Sequence, residues 1–158
     1  MNPETLALND TLQVPRSHIQ PYRFSQPFWE ATRHKKLVIQ YCPLSQQYQF
    51  FPRPVSLVTG KRLLEWKQVD GRGEIYSYSE TRRGFGPFEG HEPYAVILVR
   101  LDVGVDILSN LVNARSDELR IGQRVRPYWM PLEDGFHLLM FEPDLTNNQE
   151  LMPGQIPP

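Results

Sequence analysis

The pattern of hydrophobic and polar positions near the amino terminus predicts one short helix followed by a β-hairpin. Within residues 25–36, Ser25 can cap a helix, Pro27 suits its first turn, and a basic turn ends the segment. Residues 37–41 are β-branched and aromatic, and residues 48–51 repeat this character after a turn. The segment is therefore expected to form a helix and then two paired strands.

From residue 63 onward, short apolar runs alternate with turn residues. The run at residues 94–101 is almost continuously apolar, which is typical of a strand in a barrel wall. Residues 116–120 are long enough only for a helical turn. Further strands are predicted at residues 65–69, 74–81, 105–112, 124–130 and 137–141. Five or six short strands with one helical insert favour a closed, OB-like barrel over a parallel α/β sheet.

The predicted fold is mainly β, with an N-terminal helix, a hairpin module and a C-terminal OB-fold barrel of five to six strands. Four units are expected along the chain. They are an extended arm at residues 1–24, the helix and hairpin module at residues 25–66, the OB-fold domain at residues 67–143, and a flexible tail at residues 144–158.

Composition and charge exclude several classes of function. The 158 residues include 17 basic and 18 acidic side chains and one cysteine. A nucleic-acid-binding domain would carry a basic excess, which this balance lacks. No apolar run approaches the roughly 20 residues that span a bilayer, and the first residues lack the apolar segment of a secretory signal. We therefore expect a cytoplasmic protein with no membrane partner and no internal disulfide.

The sequence contains none of the common catalytic motifs. It has no Gly-x-Ser-x-Gly elbow. Residues 84–86 supply the first two glycines of a dinucleotide loop, but Glu89 stands at the third position and no helical pattern follows. The four histidines are scattered without the i,i+4 spacing of a metal site. No catalytic residue is therefore predicted.

Cys42 lies in one of two four-residue segments that look like zinc knuckles. The first runs from Cys42 to Ser45 and the second from Ser56 to Thr59. Cysteines at all four positions would make a zinc ribbon, but hydroxyl groups cannot replace three thiolates, so zinc is expected to be absent. The thiol is then either a structural side chain or a nucleophile whose pKa is lowered by its surroundings.

The loop at residues 81–93 is the longest irregular segment of the barrel region, and such loops often carry function. Its two phenylalanines form either a contact surface or a cover over the mouth of the barrel. Arg82 and Arg83 are the strongest basic feature of the chain. An OB-fold groove can also stack bases on aromatic side chains. The aromatic residues available for such stacking are Tyr76, Tyr78, Phe85 and Phe88.

A series of short motifs between residues 25 and 143 resembles the acyl-CoA-associated OB-fold proteins that carry an N-terminal rubredoxin-like zinc ribbon. Each motif is weak alone, but their order and spacing are specific. They are PFWEA at residues 27–31, LVIQYC at 37–42, FPRP at 51–54, LEW at 64–66, GRGEIYSY at 71–78, PY at 93–94, LSNL at 108–111 and IG at 121–122. The chain departs from the family at three of the four zinc positions and keeps only Cys42, so its ribbon is degenerate.

The resemblance implies a non-catalytic auxiliary subunit that supports a thiolase-superfamily enzyme and helps shape its CoA channel. No tightly bound cofactor is expected, although the CoA moiety of a partner's substrate can reach the chain. Two alternatives remain open: a partner of a hotdog-fold enoyl-CoA hydratase, and a free-standing OB-fold module that binds a ligand or nucleic acid. Phe28 and Trp29 are expected to face a partner. The residues expected at the CoA or partner contact are Arg82, Arg83, Phe85, Phe88 and Tyr94.

Loss of the metal requires another source of stability in the hairpin module. A structural zinc ion contributes on the order of 10 kcal/mol to folding. The hypothesis is that residues 37–66 keep a ribbon-like shape around a hydrophobic centre, with Cys42 as a bystander. The residues expected to form that centre are Tyr41, Leu44, Tyr48, Phe50, Phe51, Val55, Leu57 and Val58.

Overall fold

A computed structural model describes residues 8, 12 and 14–147 of the chain. Most of the tail expected at residues 144–158, and much of the arm expected at residues 1–24, lie outside the described residues. The regular elements are α1 (Gln26–Thr32), β1 (Leu37–Cys42), β2 (Gln47–Gln49), β3 (Glu65–Val69), β4 (Gly73–Thr81), β5 (Tyr94–Leu101), β6 (Asp106–Leu111), β7 (Arg124–Pro131) and β8 (His137–Pro143).

Helix α1 packs its apolar side chains onto the rest of the protein. Phe28 is 7% exposed, and its ring lies 5.7 Å from that of Phe50 in the hairpin module. Thr32 is fully buried, and its hydroxyl donates to the carbonyl oxygen of Trp29 at 2.7 Å. The expectation that Phe28 faces a partner is therefore wrong, because a short amphipathic helix buries its one apolar face against its own core.

The first three strands form a small antiparallel sheet in the order β2-β1-β3. The predicted hairpin is present, with Tyr41 paired to Tyr48. Strand β3 pairs along the other side of β1, from Leu37 opposite Val69 to Tyr41 opposite Glu65. The boundary expected after residue 66 therefore falls inside β3, and this strand belongs to the hairpin sheet.

The remaining five strands close into a barrel in the order β4-β5-β6-β8-β7. Counted within the barrel, this is the 1-2-3-5-4 order of an OB fold. Long antiparallel ladders join β4 to β5 and β5 to β6, and a parallel bridge between Leu111 and Phe141 helps close the barrel. The predicted mainly β fold with an OB-fold barrel is confirmed, and the barrel has five strands.

One hydrophobic core joins the barrel to the helix and the hairpin sheet. Phe28, Leu37 and Ile39 belong to the same buried cluster as Ile75 and Phe141. Because this cluster crosses from the hairpin sheet into the barrel, the two parts are expected to unfold together.

Described residues of the N-terminal arm also contact the barrel. Leu8 is fully buried, and its N–H donates to the carbonyl oxygen of Ala114 at 2.8 Å. Further along, the N–H of Ile19 donates to the carboxylate of Asp134 in the β7–β8 turn at 2.8 Å. In the described part of the chain, no helix has both the length and the apolar character needed to cross a membrane.

Candidate functional site

The two vestigial zinc knuckles meet in the hairpin module. Cys42, Ser45 and Ser56 line one cavity of about 300 Å³, and the Cys42 sulfur lies 3.7 Å from the Thr59 hydroxyl oxygen. Cys42 is 2% exposed and Ser56 is 1% exposed. The fold thus brings together the four positions that would hold zinc in a ribbon with four cysteines.

The second knuckle keeps the hydrogen bonds of a metal knuckle with oxygen in place of sulfur. The hydroxyl oxygen of Ser56 accepts bonds from the N–H groups of Val58 at 3.3 Å and Thr59 at 3.2 Å. The Thr59 hydroxyl accepts a bond from the N–H of Lys61 at 3.3 Å. A hydroxyl can accept N–H bonds as a thiolate does, so the turn persists without the sulfur.

The surrounding hydroxyl groups alter the acidity of Cys42. The side chains of Ser45 and Ser56 and the backbone N–H of Ser45 lower the pKa of this thiol to about 6 by hydrogen bonding to the thiolate. The Ser45 oxygen is buried and makes no hydrogen bond within the described residues, so its hydroxyl is available to donate to the thiolate.

This donor set does not fit zinc. A structural zinc site uses four ligands drawn from thiolates, imidazoles and carboxylates, whereas this cluster offers one thiolate and three neutral hydroxyls. Within the described residues, no group of three His, Cys, Asp or Glu side chains is placed to hold a metal ion. The absence of zinc stays a prediction, for which this chemistry is the reason.

Two buried glutamines hold the loop that links the knuckles. Gln40 is 4% exposed and Gln49 is 8% exposed. The Gln40 amide donates to the carbonyl oxygen of Arg53 and accepts from its N–H, both at 2.8 Å. The Gln49 amide donates to the Gln40 oxygen at 3.0 Å and accepts from the N–H of Leu57 at 2.9 Å. These side chains replace part of the restraint that a metal would supply.

The prediction that eight residues form a hydrophobic centre in this module is wrong for four of them. Leu44, Phe51, Leu57 and Val58 are 60%, 62%, 61% and 61% exposed. They lie on short turns with no second layer of structure to cover them, so their apolar character cannot be buried within the module. We call these four side chains the ribbon surface.

The loop between β4 and β5 splits the two phenylalanines that the sequence placed together. Phe85 is 91% exposed. Phe88 is half-buried, and its ring centre lies 5.1 Å from that of Tyr94 and 5.0 Å from the guanidinium carbon of Arg16. Phe85 is therefore a surface side chain, whereas Phe88 folds back onto Tyr94; a contact role for Phe85 stays a prediction.

The loop owes its shape to one glycine and one carboxylate. A Cβ atom on Gly84 would collide with the backbone of Phe88, so only glycine fits there. Backbone N–H groups of Glu92 itself, and of Gly84, Gly90 and His91, bond to the Glu92 carboxylate and lower its pKa. The loop is thus an organised platform for Phe85.

Of the two arginines in this loop, one is already paired. Arg82 donates to the Glu80 carboxylate at 2.7 Å. Arg83 is exposed and makes no ion pair with a described residue. Trp29, which was expected to face a partner, is half-buried and lies against Phe28 at 5.1 Å and Phe136 at 6.2 Å. Among the residues expected at a CoA or partner contact, Arg82, Arg83 and Phe85 are exposed, and Phe88 and Tyr94 are half-buried.

The aromatic face that could stack bases is occupied by a paired arginine. The Arg100 guanidinium lies 3.7 Å from the centre of the Tyr76 ring. The same guanidinium forms a bidentate pair with Asp106 at 2.9 and 3.0 Å. The charge of Arg100 is therefore compensated, and its guanidinium occupies one face of the Tyr76 ring, so this pair offers neither a free cation nor that ring face to a nucleic-acid strand.

Comparison with known proteins shows what the chain is similar to. The family model of the ChsH2 C-terminal OB-fold domain matches residues 66–130. A chain of the solved Ltp2-ChsH2(DUF35) aldolase is 29% identical with a TM-score of 0.71, over 80% of this chain and 98% of that chain. The chain is therefore similar to the acyl-CoA-associated OB-fold proteins. The resemblance that the ordered sequence motifs indicated is thereby confirmed.

Two curated relatives are also similar to this chain. A probable enoyl-CoA hydratase alpha subunit of Thermomonospora curvata is 33% identical over 126 residues, which are 77% of this chain and 38% of that protein. A DUF35 domain-containing scaffold protein of Pyrococcus furiosus is 29% identical over 100 residues, 62% of this chain and 72% of that protein. The chain therefore spans well under half of the hydratase subunit.

Sequence reasoning missed the polar residues that organise the site. Gln40, Gln49 and Glu92 bond to backbone groups inside loops, and Arg16 reaches the Phe88 ring from the arm. The one available signal was the position of Gln40 between buried strand residues, where a long polar side chain must find partners.

Proposed function

We propose that the chain is a non-catalytic auxiliary subunit of a hetero-oligomeric acyl-CoA enzyme. The observation that carries the proposal is the match to 98% of a chain in the Ltp2-ChsH2(DUF35) aldolase, at 29% identity. The name of one relative, a scaffold protein, describes a non-catalytic role, and the name of the other describes a subunit of an acyl-CoA enzyme.

Two carboxylates with lowered pKa values, Asp102 and Asp134, use their charge to stabilise the fold. The pKa of Asp102 is lowered first by its hydrogen bonds with Arg124, at 2.7 Å. The pKa of Asp134 is lowered first by the N–H of Ile19, which anchors the arm. Both carboxylates already have partners in the fold, and neither faces a cluster of reactive side chains.

Exposed apolar side chains give the chain a surface for a partner. The ribbon surface presents four side chains that are each about three-fifths exposed, and Phe85 stands out from the β4–β5 loop. Large exposed apolar side chains grouped on one module are a mark of protein interaction sites. The enzyme subunit is the proposed partner of both surfaces.

The partner class that we favour is a thiolase-superfamily enzyme, with Arg82, Arg83, Phe85, Phe88 and Tyr94 close to its CoA channel. Arg83 has a guanidinium available for a CoA phosphate through charge-assisted hydrogen bonds. A hydratase partner is the second candidate, favoured by the name of the Thermomonospora curvata relative.

The test begins by identifying the partner. The tagged full chain is expressed in its native cells, and mass spectrometry identifies the protein that co-purifies in fixed stoichiometry. The recovered enzyme is assayed on acyl-CoA substrates with and without the chain. We expect no turnover by the chain alone and a higher rate or stability for the complex. If the recovered enzyme forms or breaks carbon–carbon bonds, the partner is of the thiolase type. If it hydrates its substrate, the partner is a hydratase.

Surface variants connect the complex to the structure. Leu57→Ser and Phe85→Ser are each expected to weaken association about tenfold or more if their side chains are buried by the partner. Ile121→Ser is the matched control, because Ile121 is 68% exposed on the barrel, away from both surfaces. Turnover of acyl-CoA by the chain alone, or equal affinity in all three variants, would contradict the proposal.

A further inference from the structure

A basic cleft lies where the end of α1, the hairpin sheet and strand β7 meet. We propose that this cleft binds the phosphate or diphosphate group of a small metabolite. Its volume is about 320 Å³, at the lower end of the range for small-molecule sites. The side chains that line it and carry the argument are Lys35, Lys36, Asp70, Arg72, Arg126 and Trp129. The inference does not depend on the proposed function.

The cleft gathers cationic side chains in a chain whose net charge is -1. Four cationic side chains line it against the single carboxylate of Asp70. Of these, Lys35 and Lys36 are exposed and form no ion pair with a described residue. Two lysines without counterions on one concave surface attract anions to it.

The two arginines of the cleft form ion pairs, but some of their N–H groups remain available as hydrogen-bond donors. Arg72 contacts Asp144 through one terminal nitrogen at 3.5 Å. Arg126 uses Nε at 3.0 Å and one terminal nitrogen at 2.9 Å for the same oxygen of Glu142. A guanidinium has five N–H donors, so each arginine can still donate to an oxyanion. The carboxylates behind them fix the guanidinium groups in place.

Lys35 has a backbone conformation that is less favourable for a lysine than for a glycine. Helix α1 ends in a turn in which the N–H of Lys35 donates to Thr32 at 2.9 Å and that of Lys36 to Ala31 at 3.1 Å. Lys35 has φ 55°, the left-handed conformation for which glycine is preferred after a helix. Glycine would suit the fold better, so the observed side chain points to a use outside the fold.

The position of the cleft favours a small ligand over a nucleic-acid strand. OB folds bind strands across the second and third barrel strands, which are β5 and β6 here. The cleft instead contacts β7 and the hairpin sheet. It also has a single aromatic wall, Trp129, where a strand would need successive stacking surfaces.

The test titrates the purified full-length chain with sodium pyrophosphate, ADP and adenosine at low salt. Binding is followed by calorimetry and by tryptophan fluorescence, because Trp129 lines the cleft. We expect saturable binding of pyrophosphate at one site that weakens as salt is added. If ADP binds more tightly than pyrophosphate and adenosine does not bind, the diphosphate group that the cleft recognises belongs to a nucleotide. Equal affinities would assign the bare diphosphate.

Three variants separate binding from folding. Lys35→Gly and Lys36→Gln are each expected to weaken pyrophosphate binding roughly three- to tenfold, and Lys35→Gly is expected to keep or raise Tm. Lys61→Gln is the control, since Lys61 is an exposed lysine outside the cleft. The proposal is overturned by the absence of saturable binding, by equal binding of sulfate, or by equal losses in the control. Tighter binding of a single-stranded oligonucleotide that displaces pyrophosphate would also overturn it.

Discussion

Replacing Gln40 by leucine is a direct test of how the degenerate ribbon holds its shape. The Gln40 amide makes three hydrogen bonds, two with the backbone of Arg53 at 2.8 Å and one with Gln49 at 3.0 Å. Leucine has a similar volume but can make none of them. The substitution therefore removes the polar link between β1 and the loop without opening a large cavity.

The expected loss follows from these contacts. A hydrogen bond contributes about 0.5–1.5 kcal/mol net, and a buried group left unsatisfied costs about 1–3 kcal/mol. Three bonds are lost, and the N–H of Arg53 and the amide of Gln49 lose an acceptor. The burial of a leucine side chain offsets part of this loss, at about 1.5–3 kcal/mol. We expect the free energy of unfolding to fall by about 2–3 kcal/mol.

Urea unfolding monitored by circular dichroism measures the loss, and hydrogen exchange at the Arg53 amide locates it. The control is Gln47→Leu, because Gln47 is exposed on the same hairpin and should change stability by less than about 0.5 kcal/mol. A loss in Gln40→Leu no greater than in the control, or an Arg53 amide protected as in the wild type, would refute the account.

Four further predictions follow from single contacts. The pKa of Cys42 is about 6 in the fold, against 9.0 for an unperturbed thiol. The free energy of unfolding should therefore fall as the pH is lowered from 9 to 6, and it should level off below pH 6. This slope should vanish in Cys42→Ala urea titrations. A zinc chelator should leave the unfolding midpoint unchanged, and one zinc per chain by elemental analysis would contradict this. Gly73→Ala places a Cβ against the backbone of Arg100 and should cost about 1–3 kcal/mol by thermal unfolding. Thr32→Val removes a hydroxyl bonded to two backbone groups and should cost about 1–2 kcal/mol.

The barrel strands could be predicted from sequence because their signal is local. Strand β5 was predicted at residues 94–101 and spans Tyr94–Leu101, since an unbroken apolar run bounded by turns fits a buried strand. The partner of β3 could not be predicted in this way. Residues 65–69 were predicted as a strand, but nothing in their own pattern distinguishes pairing with β1 from pairing within the barrel, since sheet partners are chosen by tertiary packing.

The candidate site was less predictable because the burial of a side chain depends on whether another part of the chain packs over it. Leu57 and Val58 were expected in a centre and are exposed, whereas Gln40 and Gln49 were passed over and are buried. An apolar side chain on a short turn is covered only if another layer reaches it. Conversely, a glutamine is buried when loop N–H and carbonyl groups need a partner that the sheet does not supply.

The shared core explains why a ribbon can lose its metal ligands and keep its fold. An isolated zinc ribbon is too small to bury an adequate core, so the metal supplies its folding free energy. Here Leu37 and Ile39 are buried in one cluster with Ile75 and Phe141 of the barrel, so β1 is stabilised by the barrel itself. The knuckles then need only enough restraint to keep their turns, which the hydroxyl of Ser56 and the buried glutamines supply. The turns present apolar side chains outward, and that is where the ribbon surface lies.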